Sequence, residues 1–548
     1  MEFRWISSLE KVFSDESLMA SSITEATALR GERFSVQCAT YYDGNDKLYG
    51  DVAVSTDLPG DVRLYRVGYV PAMLPAYPWS DDNFLRKQPG VFPDPLFEQA
   101  ENISLSRKQW RSLWIEAVIP EDCPAGCYTI TLTFTSKVPW LDIRESTSFT
   151  VEVLPVTLPK QTLMCTEWFH CDCLAVEYGV SVFSEAHWRI IENYVKNAAD
   201  YGITMLLTPV FTPPLDTAVG GERPTVQLVD VRVEKGKYRF SFGKLKRYLD
   251  MADRCGIRYF EIAHLFTQWG AKHAPKIMAT VDGEYKRIFG WDTDAISPEY
   301  TAFLRQFLKR LRLFLKKNGY LERCWFHISD EPNAEVEEGY RLARESVAEV
   351  LAGLPVMDAL SNYSFYEKGL VAHPVPSLDH IDPFIENNVP DLWTYYCCGQ
   401  TKDVSNRMIA MPSARNRILG VQLYKYHIVG FLQWGFNFWF SQYSHHPINP
   451  YLVTDSDDAF PSGDPFVVYP GADGRPVPSL RELVFNEGLQ DMRALQLLET
   501  LTSRDEALAF IEEQCGGRPL TFKDYPREAE WLLGFREALN RKLAKLTK

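Results

Sequence analysis

The sequence predicts an α/β protein with a (β/α)8 barrel of the TIM type, preceded by an antiparallel β-sandwich and followed by a helical segment. Three observations predict this fold. Short alternating strands separated by turn residues fill residues 1–157, which is typical of a sandwich. Apolar strands alternate with helical periods over residues 158–478, which indicates a parallel sheet. Residues 479–548 have apolar positions at helical spacing, so we expect a helical segment packed on the barrel.

The predicted sandwich depends on six runs in which apolar and polar residues alternate. Turn residues separate the runs, for example at 43–46 and 120–122. The proline-containing stretch from Pro155 to Pro159 is interpreted as the linker that leaves this domain. The strands are predicted at Arg33–Tyr41, Leu48–Val54, Val62–Val70, Leu113–Ile119, Tyr128–Phe134 and Ser148–Leu154.

The predicted barrel depends on eight apolar runs, because strands buried on both faces of a parallel sheet are apolar throughout. Eight strands with intervening helices fit a closed barrel, but a doubly wound open sheet would give the same pattern. The strands are predicted at Leu163–Phe169, Ile203–Leu207, Ile257–Ile262, Arg323–Ile328, Pro355–Ala359, His380–Ile385, Asp391–Tyr396 and Gly430–Asn437. The helices are predicted at Glu185–Tyr201, Leu245–Cys255, Pro298–Lys317, Ala334–Ala352 and across Ala414–Val429.

Two insertions interrupt this repeating pattern. Residues Val226–Phe242 predict a hairpin after the second strand. Residues Thr267–Ser297, rich in tryptophan, glycine and charge, predict a long loop after the third strand. Long loops at the carboxyl face of a barrel usually shape a binding site, so we expect one there.

Composition excludes several classes of function. The formal net charge of −14 predicts an acidic surface that repels phosphate backbones, so we expect no nucleic-acid partner. The sequence has no run of 18 apolar residues and no visible secretory signal, so we expect no membrane span and a cytoplasmic location. The eleven cysteines are scattered, which favours reduced structural thiols. Neither metal-ligand spacing nor a glycine-rich phosphate loop is present, so we expect no metal and no cofactor.

The most informative motif is the stretch from Trp325 to Asn333, in which an apolar run ends in Asp330 and Glu331 and a proline follows. Proline cannot donate to a sheet, so the strand should end there and place both acids at its carboxyl end. Adjacent carboxylates repel each other, which raises the pKa of one of them and suits proton transfer. The alternative is that these residues only cap the following helix. Both acids can serve one site only if the backbone departs from the regular pleat.

Polar and aromatic residues gather at the other predicted strand ends. Carboxylates, amides, hydroxyls and aromatic planes together suit a neutral ligand with many hydroxyl groups. Each residue has a structural alternative, since buried aromatics and histidines most often fill a core. Tyr395 and Tyr396 should point to opposite faces of their strand, so at most one faces inward. The candidate binding residues are Trp168, His170, His264, Trp269, Asn362, Tyr395, Trp434, Asn437 and Trp439.

Several of these strand ends resemble glycoside hydrolase family 123 and its wider relatives. The resemblance covers about residues 110–500, and the Asp-Glu pair in its context is its most specific part. Its motifs are Glu167–His170, His264–Gly270, Ser329–Pro332, Trp393–Cys398, Leu480–Glu482 and Gly488–Asp491. The family implies an N-terminal β-sandwich and a (β/α)8 barrel, which agrees with the fold predicted above.

The resemblance also implies an activity, that of a β-N-acetylgalactosaminidase in which the 2-acetamido group of the substrate is the nucleophile. By this resemblance Glu331 would protonate the leaving oxygen and then activate water. Asp330 would orient the acetamido group, and Tyr395 would help to hold it. Trp434 or Trp439 would lie under its methyl group. The partner implied is a small oligosaccharide or glycoconjugate.

Two other functions remain open from the sequence. The first is a two-carboxylate glycosidase, with Glu331 as the acid and a residue such as Glu386 or Glu167 as its partner. The second is a carbohydrate-binding protein without catalysis on the same scaffold.

Overall fold

The computed structural model of the chain describes residues 1–547, and its N-terminal part contains two five-stranded sheets. The strands of this part are β1 (Glu2–Ser7), β2 (Glu25–Arg30), β3 (Arg33–Tyr41), β4 (Leu48–Thr56), β5 (Asp61–Ala72), β6 (Gly90–Glu98), β7 (Ile103–Leu105), β8 (Trp110–Val118), β9 (Gly126–Ser136) and β10 (Arg144–Thr157). The sheet orders are β1-β3-β8-β5-β6 and β2-β10-β9-β4-β7. Pairing within them is antiparallel except between β2 and β10. Alternate residues such as Val36, Ile115, Ile130 and Val151 are buried in one shared core.

The rest of the chain alternates strands with helices. The strands are β11 (Met164–Glu167), β12 (Met205–Thr208), β13 (Asp230–Glu234), β14 (Lys237–Ser241), β15 (Tyr259–Ile262), β16 (Ile277–Val281), β17 (Glu284–Phe289), β18 (Cys324–Phe326), β19 (Met357–Ala359), β20 (His373–Val375), β21 (Trp393–Tyr395), β22 (Gly430–Gln433), β23 (Val468–Pro470) and β24 (Pro476–Pro478). The helices are α1 (Cys171–Glu177), α2 (Glu185–Asp200), α3 (Gly243–Cys255), α4 (Pro298–Lys317), α5 (Glu337–Leu351), α6 (Ser364–Glu367), α7 (Asp382–Glu386), α8 (Ser413–Arg417), α9 (Leu419–Lys425), α10 (Leu480–Leu501), α11 (Arg504–Gln514) and α12 (Ala529–Leu546).

Six of the strands form one parallel sheet in the order β18-β15-β12-β11-β22-β21. Strands β19 and β20 form a separate parallel pair. One bridge, between Phe326 and Val356, links this pair to β18, and another, between Ser377 and Tyr395, links it to β21. The mixed α/β class is therefore as predicted. Within residues 1–547, however, the eight strands do not share one continuous ladder of backbone hydrogen bonds.

The predicted sixth strand, His380–Ile385, is wrong. Residues Asp382–Glu386 form α7, and the strand at this place in the order is β20, which begins seven residues before the predicted strand. Pro383 explains the difference, because proline near the start of a helix is favoured and removes no helical hydrogen bond. The helix predicted across Ala414–Val429 is two helices, α8 and α9, separated at Ile418. The stretch interpreted as a linker, Pro155–Pro159, begins inside β10.

The hairpin predicted at Val226–Phe242 is present as β13 and β14. The long loop predicted at Thr267–Ser297 contains a second hairpin, β16 and β17. Strand β13 pairs in parallel with β16, so the two insertions form one four-stranded sheet. This pairing is long-range, and neither hairpin alone predicts it.

Serine residues start three of the long helices. The side chains of Ser184, Ser297 and Ser479 accept hydrogen bonds from backbone N–H groups in the first turns of α2, α4 and α10. These contacts satisfy donors that a helix leaves unpaired at its N-terminus. The three helices therefore begin at fixed points relative to the strands that precede them.

The C-terminal helices contact both parts of the protein. Helix α10 packs on α8 and α9, and α12 packs on β2 and β10 of the sandwich. Arg481 at the start of α10 is buried and forms a two-pronged ion pair with Asp94 of β6, at 2.8 and 2.9 Å. The C-terminal helical segment therefore contacts both the sandwich and the helices that flank the parallel sheet. Among residues 1–547, none of the helices combines the length and the hydropathy that crossing a bilayer requires.

Candidate functional site

A cavity of about 120 Å³ opens at the carboxyl ends of the parallel strands. The wall contains three carboxylates, three tryptophans, one tyrosine and two thiols. The lining residues are Trp168, Leu215, Asp216, Gln268, Trp269, Asp330, Glu331, Ala359, Tyr395, Cys397, Cys398, Leu432, Trp434 and Phe460.

A second groove lies between the sandwich and α12. Its charged side chains include Glu32, Arg417, Glu487 and Arg536. These charges are paired with one another, Arg417 with Glu487 at 2.9 Å and Arg536 with Glu32 at 2.9 Å. Paired charges stabilise the contact between the two parts of the protein, so we place the candidate site in the first cavity.

Asp330 and Glu331 both line the cavity because the backbone turns at Glu331. Strand β18 ends at Phe326, and Glu331 has a φ of +44°, in the left-handed region. Backbone hydrogen bonds hold the turn. The Glu331 N–H donates to the carbonyl of Ala359 at 3.1 Å, and the Trp269 N–H donates to the carbonyl of Asp330 at 2.9 Å. Asn333 alone caps the next turn, by accepting from the Glu335 N–H at 3.0 Å.

The two acids differ in their contacts. The Tyr395 hydroxyl donates a hydrogen bond of 2.6 Å to Oε1 of Glu331. Burial raises the pKa of Glu331, and this hydrogen bond opposes the rise. Burial, and next the charge of Glu331, raise the pKa of Asp330 well above its usual range. Two partly buried acids side by side cannot both be ionised at low cost, which favours a pair that keeps one proton.

Beneath the cavity lies a buried group of charges centred on His327. Its Nε2 is 2.6 Å from Glu261 and its Nδ1 is 3.0 Å from Asp358. Burial alone would lower the pKa of His327, but the hydrogen bonds to the two carboxylates outweigh it and raise the pKa to about 10. His327 is therefore an imidazolium near neutral pH. His327, which directly follows β18, is thus a paired core residue.

This buried group positions parts of the cavity wall. Glu261 also accepts from the Trp168 indole N–H at 2.7 Å, which fixes the plane of that ring. Asp358 accepts from the backbone N–H of Ile328 at 3.1 Å and from the Tyr340 hydroxyl at 2.5 Å. These contacts hold the segment between β18 and the two acids. The group therefore acts on the site through Trp168 and the backbone, without lining the cavity itself.

Four of the nine predicted binding residues line the cavity together with the two acids. They are Trp168, Trp269, Tyr395 and Trp434. The Trp434 indole N–H donates to Asp464 at 2.8 Å, and Trp269 is 41% exposed at the edge of the cavity. Tyr396 points the other way and packs against Phe431, as expected from the alternation of a strand.

The other five predicted binding residues do not line the cavity. His170 and Asn437 bond to each other through main-chain and side-chain atoms, and Arg223 donates to the His170 ring at 3.1 Å. Burial, followed by the charge of Arg223, lowers the pKa of His170 to about 3. The Trp439 indole donates to the carbonyl of Val468 and packs near Tyr194 in the core.

The remaining two of these residues also have structural roles. Asn362 holds the turn before α6 by accepting from the Ser364 N–H at 3.0 Å. His264 is buried and stacks on His327, with ring centroids 4.2 Å apart. Burial, followed by the charge of His327, lowers the pKa of His264 well below its usual range, so this ring is neutral.

Three buried side chains lie within reach of a common metal ion among the described residues, namely His264, His327 and Asp358. The two rings are stacked with only 20° between their planes, so their in-plane nitrogen lone pairs run side by side and do not converge. Both nitrogens of His327 already bond to carboxylates. This arrangement suits a paired imidazolium and does not suit a metal ion.

Several lining residues were not predicted. Asp216, Cys397 and Cys398 lie in loops, and no motif or period marks loop residues that point inward. Burial raises the pKa of Asp216 to about 6. The sequence does contain a signal for the buried charges around His327. Glu261 and Asp358 are acids inside otherwise apolar strands, where a charge needs a partner.

Comparison with known proteins finds a match in sequence and a match in structure. A family model for the catalytic domain of glycoside hydrolase 123 matches residues 168–498, more than half of the chain. The fold is similar to that of a family 123 glycoside hydrolase from Clostridium perfringens, whose structure concerns glycolipid glycan hydrolysis. The TM-score is 0.72 at 13% identity, with 99% of this chain and 97% of that chain covered.

Other matches are weaker. A β-glucuronidase from Parabacteroides merdae aligns with 84% of this chain and 50% of that chain, at 12% identity and a TM-score of 0.30, which is too low to bear on the fold. No curated protein sequence matches the chain.

Proposed function

The chain belongs to glycoside hydrolase family 123, and from this premise we propose that it removes β-linked N-acetylhexosamine, with N-acetylgalactosamine as the preferred sugar. The single observation that carries the proposal is the placement of Asp330 and Glu331, neighbours in the chain, in the wall of one cavity. The reaction proposed is substrate-assisted hydrolysis with retention, in which the acetamido oxygen of the sugar is the nucleophile.

In the first step the acetamido oxygen attacks the anomeric carbon while the glycosidic bond breaks. Glu331 gives its proton to the leaving oxygen, and the sugar becomes a cyclic oxazolinium ion. Asp330 accepts a hydrogen bond from the acetamido N–H and stabilises the positive charge that develops. In the second step Glu331 takes a proton from water, which attacks the anomeric carbon and reopens the ring.

The shared proton of the two acids fits these roles once the sugar is bound. The acetamido N–H and the developing positive charge both favour an ionised Asp330, so they move the proton of the pair to Glu331. Tyr395, which bonds to Glu331, is close enough to the pair to share in holding the acetamido group. Trp168 and Trp434 supply apolar faces for the sugar ring or the acetamido methyl group, in place of the core residue Trp439.

The contacts of the alternative partner acids favour this mechanism over two-carboxylate hydrolysis. Glu167 is buried and paired with Arg407, and Glu386 is exposed on α7. Neither lines the cavity. A two-carboxylate mechanism would need another acid within about 5–9.5 Å of the first, on the far side of the sugar.

We also propose the finer architecture that goes with this function. The eight strands act together as a (β/α)8 barrel, with residues 1–157 as a sandwich domain, 158–478 as the catalytic domain and 479–548 as a helical segment. The substrate is an oligosaccharide or glycoconjugate, and the glycolipid glycans of the C. perfringens relative are a suitable class to test.

A panel of aryl β-glycosides tests the proposed function. We expect hydrolysis of N-acetylgalactosaminide above N-acetylglucosaminide, and turnover of galactoside and glucoside lower by at least about 10³-fold, because they lack the nucleophile. A thiazoline analogue of the oxazolinium ion should compete with substrate, since it resembles the intermediate. Equal rates on galactoside and N-acetylgalactosaminide, or a covalent adduct with a 2-fluoro sugar, would instead indicate an enzyme nucleophile.

Tyr395→Phe should change both the rate and its pH dependence. The hydroxyl stabilises the ionised form of Glu331, so its loss raises the pKa of Glu331 further. The alkaline limb of the kcat/KM profile, where the acid loses its proton, should therefore move to higher pH. We expect kcat/KM at the optimum to fall about 10²-fold, as for other lost transition-state donors. Tyr285→Phe, on the exposed hairpin of β16 and β17, is the control. An alkaline limb that stays in place or moves down would contradict the assigned contact.

A further inference from the structure

Gln268 presents a buried amide whose N–H donors have no partner among the described residues. Its side chain is 6% exposed and lines the cavity. Oε1 accepts a hydrogen bond of 2.6 Å from the backbone N–H of Asp216, and this fixes which end of the amide is oxygen. Nε2 is thus a fixed donor without a partner. A buried donor left in this state is destabilising unless something in the cavity accepts from it.

Asp216 supplies an acceptor beside this donor. Its Oδ2 accepts from the Tyr443 N–H at 3.0 Å, while Oδ1 accepts from no described residue. The loop that contains Asp216 is tied to the loop after β22 by two further bonds, from the Ala218 N–H to the Tyr443 carbonyl at 3.0 Å and from the Ser444 hydroxyl to the Asp216 carbonyl at 2.6 Å. Asp216 is therefore held in place at the cavity by backbone contacts on both sides.

Gln268 and Tyr395 come from strands that are well separated in the parallel sheet. Gln268 follows β15 and Tyr395 ends β21, and three strands separate β15 from β21 in the six-stranded sheet. In the proposed function Tyr395 holds the acetamido group on carbon 2 of the sugar. The opposite edge of a pyranose ring bears the groups on carbons 4 and 5, including the 4-hydroxyl and the 6-hydroxyl.

We infer that Asp216 and Gln268 bind the hydroxyl groups on the carbon-4 edge of the sugar, and that this pair determines whether the axial or the equatorial 4-hydroxyl is accepted. The inference rests on the proposed function, which places the acetamido group near Tyr395. A hydroxyl both donates and accepts, so a carboxylate oxygen and an amide N–H satisfy its donor and one of its two lone pairs. N-acetylgalactosamine and N-acetylglucosamine differ only at this carbon, so a fixed donor and acceptor there discriminate between them.

Isosteric variants and deoxy substrates test the pair. Gln268→Glu keeps the oxygen that accepts from the Asp216 N–H but replaces the Nε2 donor. Asp216→Asn replaces one acceptor oxygen with a donor. The kcat/KM of wild type and both variants is measured on aryl N-acetylgalactosaminide, N-acetylglucosaminide, and the 4-deoxy and 6-deoxy analogues. Gln306→Glu, on the exposed face of α4, controls for the added charge.

We expect wild type to lose about 10- to 100-fold in kcat/KM when the recognised hydroxyl is removed from the substrate. On the full sugar, the kcat/KM of each variant should fall by a similar factor. On the deoxy sugar that lacks the recognised hydroxyl, the variants should differ little from wild type. The epimer ratio should move towards unity in both variants. Gln306→Glu should behave as wild type on every substrate.

Two outcomes would overturn the inference. Equal losses on all substrates, including both deoxy sugars, would mean that the pair acts on the fold alone. Loss of all turnover in Asp216→Asn, with restoration by azide and inversion at the anomeric carbon, would make Asp216 a catalytic base. If wild type hydrolyses plain galactosides as well as N-acetylgalactosaminides, the proposed function fails, and the same deoxy comparison on galactosides still tests the pair.

Discussion

Glu331→Gln is expected to lower the turnover of glycosides with poor leaving groups, such as alkyl glycosides and natural oligosaccharides, by at least about 10³-fold. The amide has the shape of the acid and cannot donate a proton to the leaving oxygen. Its burial beside Asp330 is unchanged, so folding should be retained. Aryl glycosides whose leaving group needs no proton should lose far less at the first step. The measurement is kcat/KM across leaving groups of graded pKa, where the variant should show a steep dependence and wild type a shallow one.

The matched control for this variant is Glu386→Gln, because Glu386 is an exposed glutamate outside the cavity. The control should keep wild-type rates with every leaving group. Wild-type turnover of alkyl glycosides by Glu331→Gln would assign the acid to another residue. A uniform loss across leaving groups would show that the variant disturbs the fold, and the thermal unfolding temperature would reveal it.

Asp330→Asn is expected to lower kcat/KM by about 10²–10³-fold, and equally for good and poor leaving groups. The reason is that the attacking acetamido group loses the carboxylate that orients it and balances the positive charge of the oxazolinium ion. Activating the leaving group cannot replace that function. The leaving-group plot of this variant should therefore run parallel to that of wild type. The plot of Glu331→Gln should instead approach that of wild type as the leaving group improves.

Asp391→Asn serves as the control for this variant, because Asp391 is exposed and, at φ +48°, has a left-handed backbone that asparagine also adopts readily. Asp330→Asn with wild-type kcat/KM would remove the role assigned to Asp330. A loss confined to poor leaving groups would indicate that Asp330, and not Glu331, is the proton donor.

The periodicity of the strands and the positions of the prolines predict most of the parallel strands and the position of the two acids. The strand ending before Asp330 was visible because its apolar run stops at a proline. The same rule does not find β20, because Pro374 is the middle one of its three residues. The rule instead predicts a strand in the next apolar stretch. Short strands at the margin of a sheet offer too few residues for a period to appear.

The orientation of the aromatic residues was beyond sequence reasoning. Trp434 and Trp439 both follow β22, after the last residue to which the two-residue period of a strand applies. One lines the cavity and the other fills the core because of contacts to Asp464 and Val468, thirty and twenty-nine residues away along the chain. Asp216 and Gln268 are a further case, since the hydrogen bond between them joins two different loops.

The separate pairing of β19 with β20 affects how rigid the wall of the cavity is. A single bridge on each side attaches this pair to the neighbouring strands. Few backbone hydrogen bonds hold this arc, formed by β19 and β20, to its neighbours, and the buried contact of Asp358 with His327 is a further tie to the end of β18. The carbonyl of Ala359 at the end of β19 accepts from the Glu331 N–H, so movement of the arc and rotation of the acid are mechanically linked. We expect deuterium uptake in this arc to begin before uptake in the other parallel strands.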